Sequence, residues 1–306
     1  MGDFSIDTSA EEVALQLDGT REGDRWRCYC PVCGGHGLLI TTSRHSGKIL
    51  YYCWSTGCSF LEIIRALHEI GVEPEIPSHF DDSHNGENEN QRLKIEAARR
   101  LLRRTECAIG TDAEGYLAWR AITIAIPPAL RFMPYCPHRC GRSFPAMVAT
   151  VVDLDGETVG YHATFLAPDG IGKYPFPTKA MQRECRGRVR GAAVRLADVS
   201  RSVNSVNAPQ LVIAEGIETA LSCMQLFGIP AWAALSSSGI AALELPSEIK
   251  SVVIACDNDT NNASHHAATA AYYRWVAEGR AVQLIKPPMS GTDFNDVLVE
   301  RGGRDG

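Results

Sequence analysis

Between Leu211 and Asp296 an apolar run gives way to carboxylates three times. Leu-Val-Ile-Ala leads into Glu215-Gly216, Val-Val-Ile-Ala-Cys leads into Asp257-Asn258-Asp259, and Ala-Val-Gln-Leu-Ile-Lys-Pro precedes Thr292-Asp293-Phe294-Asn295-Asp296. Asp and Glu oxygens in such numbers suit a hard divalent ion, Mg²⁺ or Mn²⁺, which usually completes its shell with substrate phosphates. The chemistry indicated is phosphoryl transfer on nucleotides. The competing reading is that these acids only cap helix N-termini. Two Asp at i and i+2 argue against it, because in an extended segment both side chains fall on one side and can face one ion.

A second set of ligand types lies near the N-terminus: Cys28-Tyr-Cys30-Pro-Val-Cys33-Gly-Gly-His36, then Tyr51-Tyr52-Cys53-Trp54-Ser-Thr-Gly-Cys58. Close cysteine pairs joined by a hairpin follow the logic of a zinc ribbon, in which four thiolates surround Zn²⁺ tetrahedrally. Five cysteines compete for four places. Cys30, Cys33, Cys53 and Cys58 are expected as the ligands, with Cys28 spare and His36 an outside alternative. Cys136-Pro-His138-Arg-Cys140 offers three further ligand types, crowded into five residues.

These groups need elements to hold them. Leu211 to Glu215, Ala231 to Leu235, Ser251 to Asp257 and Ala281 to Ile285 read as strands, alternating with helices over Ile217 to Phe227 and Ala263 to Glu278 that are closed by Gly228 and Gly279. That alternation predicts a mostly parallel sheet with helices on both faces. In such a sheet the loops after the strands meet at one crevice, so distant carboxylates can share a site. Around the cysteines, Leu38 to Thr42 and Lys48 to Tyr52 are strand-like, with a turn at Ser46-Gly47. In the middle of the chain, Asp155-Gly156 predicts a hairpin between Ala149 to Asp153 and Val159 to Phe165, part of a small α+β unit. Asp169-Gly-Ile-Gly-Lys173-Tyr174 fails as a phosphate loop, because Ala167 stands where Gly is needed and Tyr174 where Ser or Thr would meet Mg²⁺.

The chain has 306 residues, eleven cysteines and a net charge of −6. Many cysteines without a signal-peptide pattern argue for reduced thiols and metal ligation, hence a cytoplasmic location. No apolar run approaches the roughly 20 residues that span a bilayer, so no membrane partner is expected. The negative charge is unevenly spread. Acids crowd between Glu73 and Glu89, which reads as a flexible linker. Basic residues mark an amphipathic helix from Arg92 to Arg104 and a Gly-containing loop with Arg183, Arg186, Arg188, Arg190 and Arg195. The predicted division is 1–72 for the zinc-binding domain, 73–90 for the linker, 91–205 for the middle unit and 206–306 for the α/β domain.

Glu215-Gly216 after one strand, Asp257-x-Asp259 after a later one, and the elements between them resemble the Toprim domain, named for topoisomerases and primases. Glu215-Gly-Ile-Glu218-Thr-Ala-Leu-Ser222, with Asp257-Asn-Asp259 and Asp293-Phe-Asn-Asp296, is most similar to the version in primase-like proteins of phages, plasmids and integrated elements. The cysteine segment resembles the zinc-binding domain at the front of bacterial and phage primases, which often carry Cys-Pro-x-His where this chain has Cys30-Pro31-Val32-Cys33. Pro127 to Phe132, Pro145 to Ala149 and Gly160 to Leu166 resemble the middle segment that accompanies the Toprim domain in such proteins.

The resemblance implies a Rossmann-like catalytic domain and a DNA primase, a nucleotidyltransferase making short RNA primers on single-stranded DNA. It implies that Asp257, Asp259 and Asp293 hold one or two Mg²⁺ or Mn²⁺ ions, that Glu215 assists metal binding or proton transfer, and that Glu218 and Asp296 are secondary. Lys173, Lys179, Arg183, Arg186, Arg188 and Arg190 would grip ribonucleotide phosphates or template. Tyr52 and Trp54 of the zinc domain would stack on template bases, with ribbon core as their alternative role. No helicase motor follows the acids, so a separate replicative helicase is the expected partner. The rival readings are a Toprim nuclease and a non-catalytic zinc and Toprim recombination mediator. A type IA topoisomerase would need a large gate with a catalytic Tyr.

Overall fold

The computed structural model describes residues 9–43, 49–55, 58, 60–72, 84–168, 170–199, 210–258 and 263–302. The chain divides into two compact units, 1–85 and 86–306.

The N-terminal unit contains α1 (Ala10–Gln16), β1 (Thr20–Glu22), β2 (Arg25–Cys28), β3 (Leu38–Thr42), β4 (Ile49–Cys53) and α2 (Phe60–Glu69). Its strands form one antiparallel sheet in sequential order. Ser9 and Glu12 make a reciprocal capping box that starts α1. Burial alternates along β4, so Ile49, Tyr51 and Cys53 face a small core while Leu50 and Tyr52 face outward. The turn expected at Ser46-Gly47 lies outside the described residues.

The second unit opens with α3 (His84–Leu102), followed by β5 (Glu106–Cys107), α4 (Asp112–Trp119), β6 (Leu130–Pro137), β7 (Ser143–Val152), β8 (Thr158–Phe165), a short 3₁₀ turn at Lys179–Gln182, and β9 (Arg183–Gly187). Strands β5 to β9 form an antiparallel sheet in sequential order. The β7–β8 hairpin turns at Gly156, whose φ of 82° requires the left-handed region.

Two sequence expectations are corrected here. The linker was expected to reach Asn90, yet helix begins at His84. No proline interrupts the stretch from Asn85 to Leu102, acids near a helix start complement its dipole, and Glu89 approaches Arg92 at 3.9 Å. The Arg183 to Arg190 run was expected as a loop, but its first five residues are strand β9, with Arg183, Cys185 and Gly187 paired to Thr164, His162 and Gly160 of β8. The open edge of β8 supplies the pairing that the run's composition does not advertise.

The remaining elements are β10 (Val194–Arg195), β11 (Gln210–Ala214), α5 (Ile217–Phe227), β12 (Ala231–Ala233), α6 (Ser237–Ala242), β13 (Ser251–Ala255), α7 (Ala263–Ala277), β14 (Ala281–Ile285) and α8 (Phe294–Gly302). The sheet order is β10-β12-β11-β13-β14. Strands β12, β11, β13 and β14 are mutually parallel, and β10 joins antiparallel. Leu211, Val212, Ile213 and Ala214 are all fully buried, as a parallel strand covered on both faces requires. One apolar core runs from α4, β6 and β7 through β11, α5 and α8, so the middle sheet and the parallel sheet pack as one body. No described helix is long and apolar enough to cross a membrane.

Candidate metal centres and nucleotide crevice

The four expected cysteines converge. Cys30, Cys33, Cys53 and Cys58 are buried and their sulfurs all lie within 4.8 Å of one another. The Cys30–Cys58 and Cys33–Cys53 separations are both 3.7 Å. Four sulfurs at about 2.3 Å from a tetrahedral Zn²⁺ stand about 3.8 Å apart, so the cluster fits zinc. Side-chain contact with Cys33, then with Cys53 and Cys58, drives the Cys30 pKa far upward, and a cation is what would let all four be thiolates. Cys28 stays outside, its thiol directed at the Ala14 carbonyl and its pKa raised to about 11 by burial. His36 packs on Tyr29 instead.

Cys136, His138 and Cys140 form no chelating group among the described residues. His138 Nε2 lies 3.1 Å from the Met181 carbonyl, and Nδ1 accepts from the Cys140 N–H. The cluster is a packed corner.

The carboxylates gather where β11 and β13 end. Ala214 and Ala255 are register partners, which sets Glu215 beside Cys256 and Asp257 one step further on. Asn258 then ties in the third acid. Its backbone N–H donates to the Thr292 carbonyl, its carbonyl accepts from Gly291, and its amide nitrogen donates to the Pro287 and Met289 carbonyls. The 286–292 loop is thereby drawn onto the β13 end and delivers Asp293. Electrostatics reports the same convergence: burial first, then Asp257 and Glu215, raise the Cys256 thiol to about 11, while burial, Asp257 and Asp293 raise that of Cys223.

Asp293 also starts α8. Its Oδ1 accepts from the N–H groups of Asn295 and Asp296, and Asp296 Oδ2 accepts from the Asp293 N–H. Helix capping, the competing sequence reading, therefore holds for this pair and fixes the carboxylate in place. Burial raises the Asp293 pKa, outweighing the hydrogen bond from the Asp296 N–H and the charge of Arg120 at 3.9 Å. A dehydrated carboxylate of this kind gains from a cation. Among the described residues only the cysteines are close enough together to chelate a bare ion. The acids form a more open oxygen set, and Asp259 lies outside the described residues. An open set suits Mg²⁺, which keeps waters and substrate phosphates in its shell.

Glu218 is engaged from within the protein. It is 5% exposed, and its Oε1 accepts from both the Tyr116 hydroxyl at 2.6 Å and Lys173 Nζ at 2.8 Å. Burial raises its pKa, and the charge and hydrogen bond of Lys173 with that of Tyr116 outweigh this and hold the carboxyl well below the usual range. Lys173 is thus held by the protein at the first turn of α5. Burial also depresses His162, nearby on β8, to about 4, so it is neutral at physiological pH.

The basic run divides. Arg186 pairs with Glu184 at 3.0 Å and Arg188 with Asp153 at 2.9 Å, while Lys179 and Arg183 are exposed and Arg190 is half-buried. On the N-terminal unit Tyr52 is 56% and Trp54 65% exposed, their rings 4.6 Å apart, whereas Tyr51 is core. Sequence reasoning missed Tyr116, Arg120, Asn258 and Asn295. Only Asn258 carried a local signal, between the two aspartates.

Residues 210–304 match the family described as the Toprim domain, and residues 92–196 match a family described as a domain of unknown function, DUF7146. The C-terminal segment is a Toprim domain. No curated protein matches the chain in sequence. Among solved structures, the Aquifex aeolicus primase (zinc binding and RNA polymerase domains) is similar at 13% identity and TM-score 0.42, covering 98% of this chain and 81% of that one. The RNA polymerase domain of Mycobacterium tuberculosis primase is similar at 16% identity and TM-score 0.41, covering 71% and 81%. The primase fragment of the bacteriophage T7 primase-helicase is similar at 11% identity and TM-score 0.37, covering 86% and 95%.

Proposed function

We propose that this protein is a primase-like nucleotidyltransferase that makes short RNA primers on single-stranded DNA. The observation that carries the reading is the delivery of Glu215, Asp257 and Asp293 to one end of a parallel sheet in a Toprim domain, with Lys173 paired to Glu218 in the first turn of the helix that follows Glu215. Asp257 and Asp293, with Asp259 and Glu215, would hold Mg²⁺ or Mn²⁺, which would supply Lewis acidity toward a nucleotide 3′-hydroxyl and charge neutralisation for a departing pyrophosphate. Lys173, oriented by Glu218, offers its charge to triphosphate. Lys179 and Arg183 extend that positive edge for phosphates of nucleotide or template, while Arg186 and Arg188 spend theirs on Glu184 and Asp153.

The zinc unit would hold template. The outward face of its sheet aligns Arg27, Leu39 and Tyr52 across three strands, with Arg25, Thr41 and Leu50 in the next row. Exposed aromatic rings among cations are what sequence-tolerant single-strand binding uses. Ribonucleotides are the expected substrates, a separate helicase the expected partner and the cytoplasm the expected location, in a protein carried by a mobile element. The test is incorporation of labelled ribonucleotides on single-stranded DNA with Mg²⁺ or Mn²⁺. Metal-dependent cleavage of DNA without synthesis would favour a Toprim nuclease instead.

A further inference from the structure

We infer that Trp119 is a base-stacking residue at the lip of the acid crevice, taking the nucleobase of a ribonucleotide whose phosphates lie toward Asp293 and Lys173; this rests on the primase-like reading above. Trp119 is the last residue of α4 and is 51% exposed. A single exposed aromatic is ordinary. What distinguishes this one is that it contacts both arms of the site. Its ring stacks at 6.1 Å and 29° on Tyr116, whose hydroxyl donates to the Glu218 carboxylate that holds Lys173. The Arg120 guanidinium lies 5.8 Å from the ring centre and 3.9 Å from Asp293 Oδ2. Neither neighbour is close enough to cover the indole, so surface remains for a third planar group.

The placement is rigid. Ala121 follows Arg120 at φ 59°, a left-handed conformation that non-glycine residues rarely adopt. It is held there by Gln225 of α5, whose amide nitrogen donates to the Ala121 carbonyl and whose oxygen accepts from Thr123 and Ile124. Asn295, whose backbone N–H donates to Asp293, donates its side-chain amide to the Arg120 carbonyl. At the edge of the indole lies Gly172, where an added Cβ would stand in ordinary contact, 3.8 Å from the ring's Cη2, and Ile171 beside it is 63% exposed. Backbone strain maintained next to reacting groups is a mark of a functional position. Every base has a π face, so stacking binds nucleotides without choosing among them.

The test measures equilibrium binding of ATP and of base-free ribose 5′-triphosphate to wild type, Trp119→Ala and Trp119→Phe, together with KM and kcat for primer extension. Trp119→Ala should weaken ATP binding about 5- to 150-fold, the range of one base stack, raise KM with kcat nearly unchanged, and leave binding of the base-free triphosphate unaltered. Trp119→Phe should recover most of the loss. Equal weakening toward both ligands would mean that Trp119 only supports the crevice wall, and unchanged ATP binding would remove it from the site. Either result overturns the inference. Binding is read without synthesis, so a protein that stacks ATP on Trp119 yet makes no primer sinks the primase reading and leaves this one standing.

Discussion

In the N-terminal unit four cysteine sulfurs meet at nearly ideal spacing inside a small core, whereas in the C-terminal unit Glu215, Asp257 and Asp293 come to the carboxyl end of the parallel sheet from separate segments and do not close into a chelating cluster. The first arrangement encloses its ion and leaves no open position. The second is supported by a core that extends over two sheets and leaves room for waters and phosphates. The contrast is between a set of ligands fit to close around a structural ion and an open set of acids that leaves ligand positions free. Four buried thiols gain little from one another without an ion, while the acids are fixed by hydrogen bonds already in place, from Asn258 to the 286–292 loop and from α8 to Asp293.

Removing zinc should give the largest effect. Structural Zn²⁺ supplies about 10–16 kcal/mol of apparent binding energy in small modules, so a strong chelator should unfold the unit before Asn85 and leave the second unit folded, read as two separate unfolding transitions. Cys58→Ser should lose about one Zn²⁺ per chain by elemental analysis, and Cys28→Ser should keep it. The reverse result would overturn the ligand set.

The next effect is expected at the Lys173–Glu218 pair. Lys173→Met takes the counter-charge from the buried Glu218 carboxylate, leaving it the Tyr116 hydroxyl and its own backbone N–H, and should cost about 3–5 kcal/mol in denaturant melts; adding Glu218→Gln should recover much of it. The folded Glu218 pKa is depressed, so its stabilisation is complete above the unfolded carboxyl value of about 4.3 and is lost as pH falls through the lower folded value. Wild type should therefore lose stability on acidification more steeply than Glu218→Gln. Equal slopes would deny the ion pair its role.

The smallest stability effect is expected at Asp293. Asn caps helices as well as Asp, and burial raises the Asp293 pKa, so in metal-free protein Asp293→Asn should change stability by no more than about 0.5 kcal/mol. Its metal-dependent activity should fall sharply. A large loss of stability without metal would make this acid a structural cap before anything else.

How much of this was legible in the sequence follows the same division. The cysteine pairs, the strand-ending acids and the Gly228 stop of α5 are written within a few residues of one another, so spacing and period revealed them. Tyr116 bonds Glu218 across 102 positions and Asn295 bonds Arg120 across 175, and no local pattern encodes such partners. Strand β9 was hidden for a related reason: Arg-Glu-Cys-Arg-Gly has weak strand propensity and becomes a strand because β8 presents an edge. The partners of that run were hidden too, since Glu184 and Asp153, which pair with Arg186 and Arg188, look like ordinary surface acids in sequence.

The central claim, that the acid crevice performs metal-dependent nucleotidyl transfer, is tested most directly by Asp257→Asn. The change removes ligand charge with little change of shape, so ribonucleotide incorporation on single-stranded DNA should vanish at every Mg²⁺ or Mn²⁺ concentration, while template affinity by gel shift and the zinc content stay at wild-type levels. Wild-type incorporation by Asp257→Asn, or its absence from the unmodified protein under the same conditions, would contradict the account.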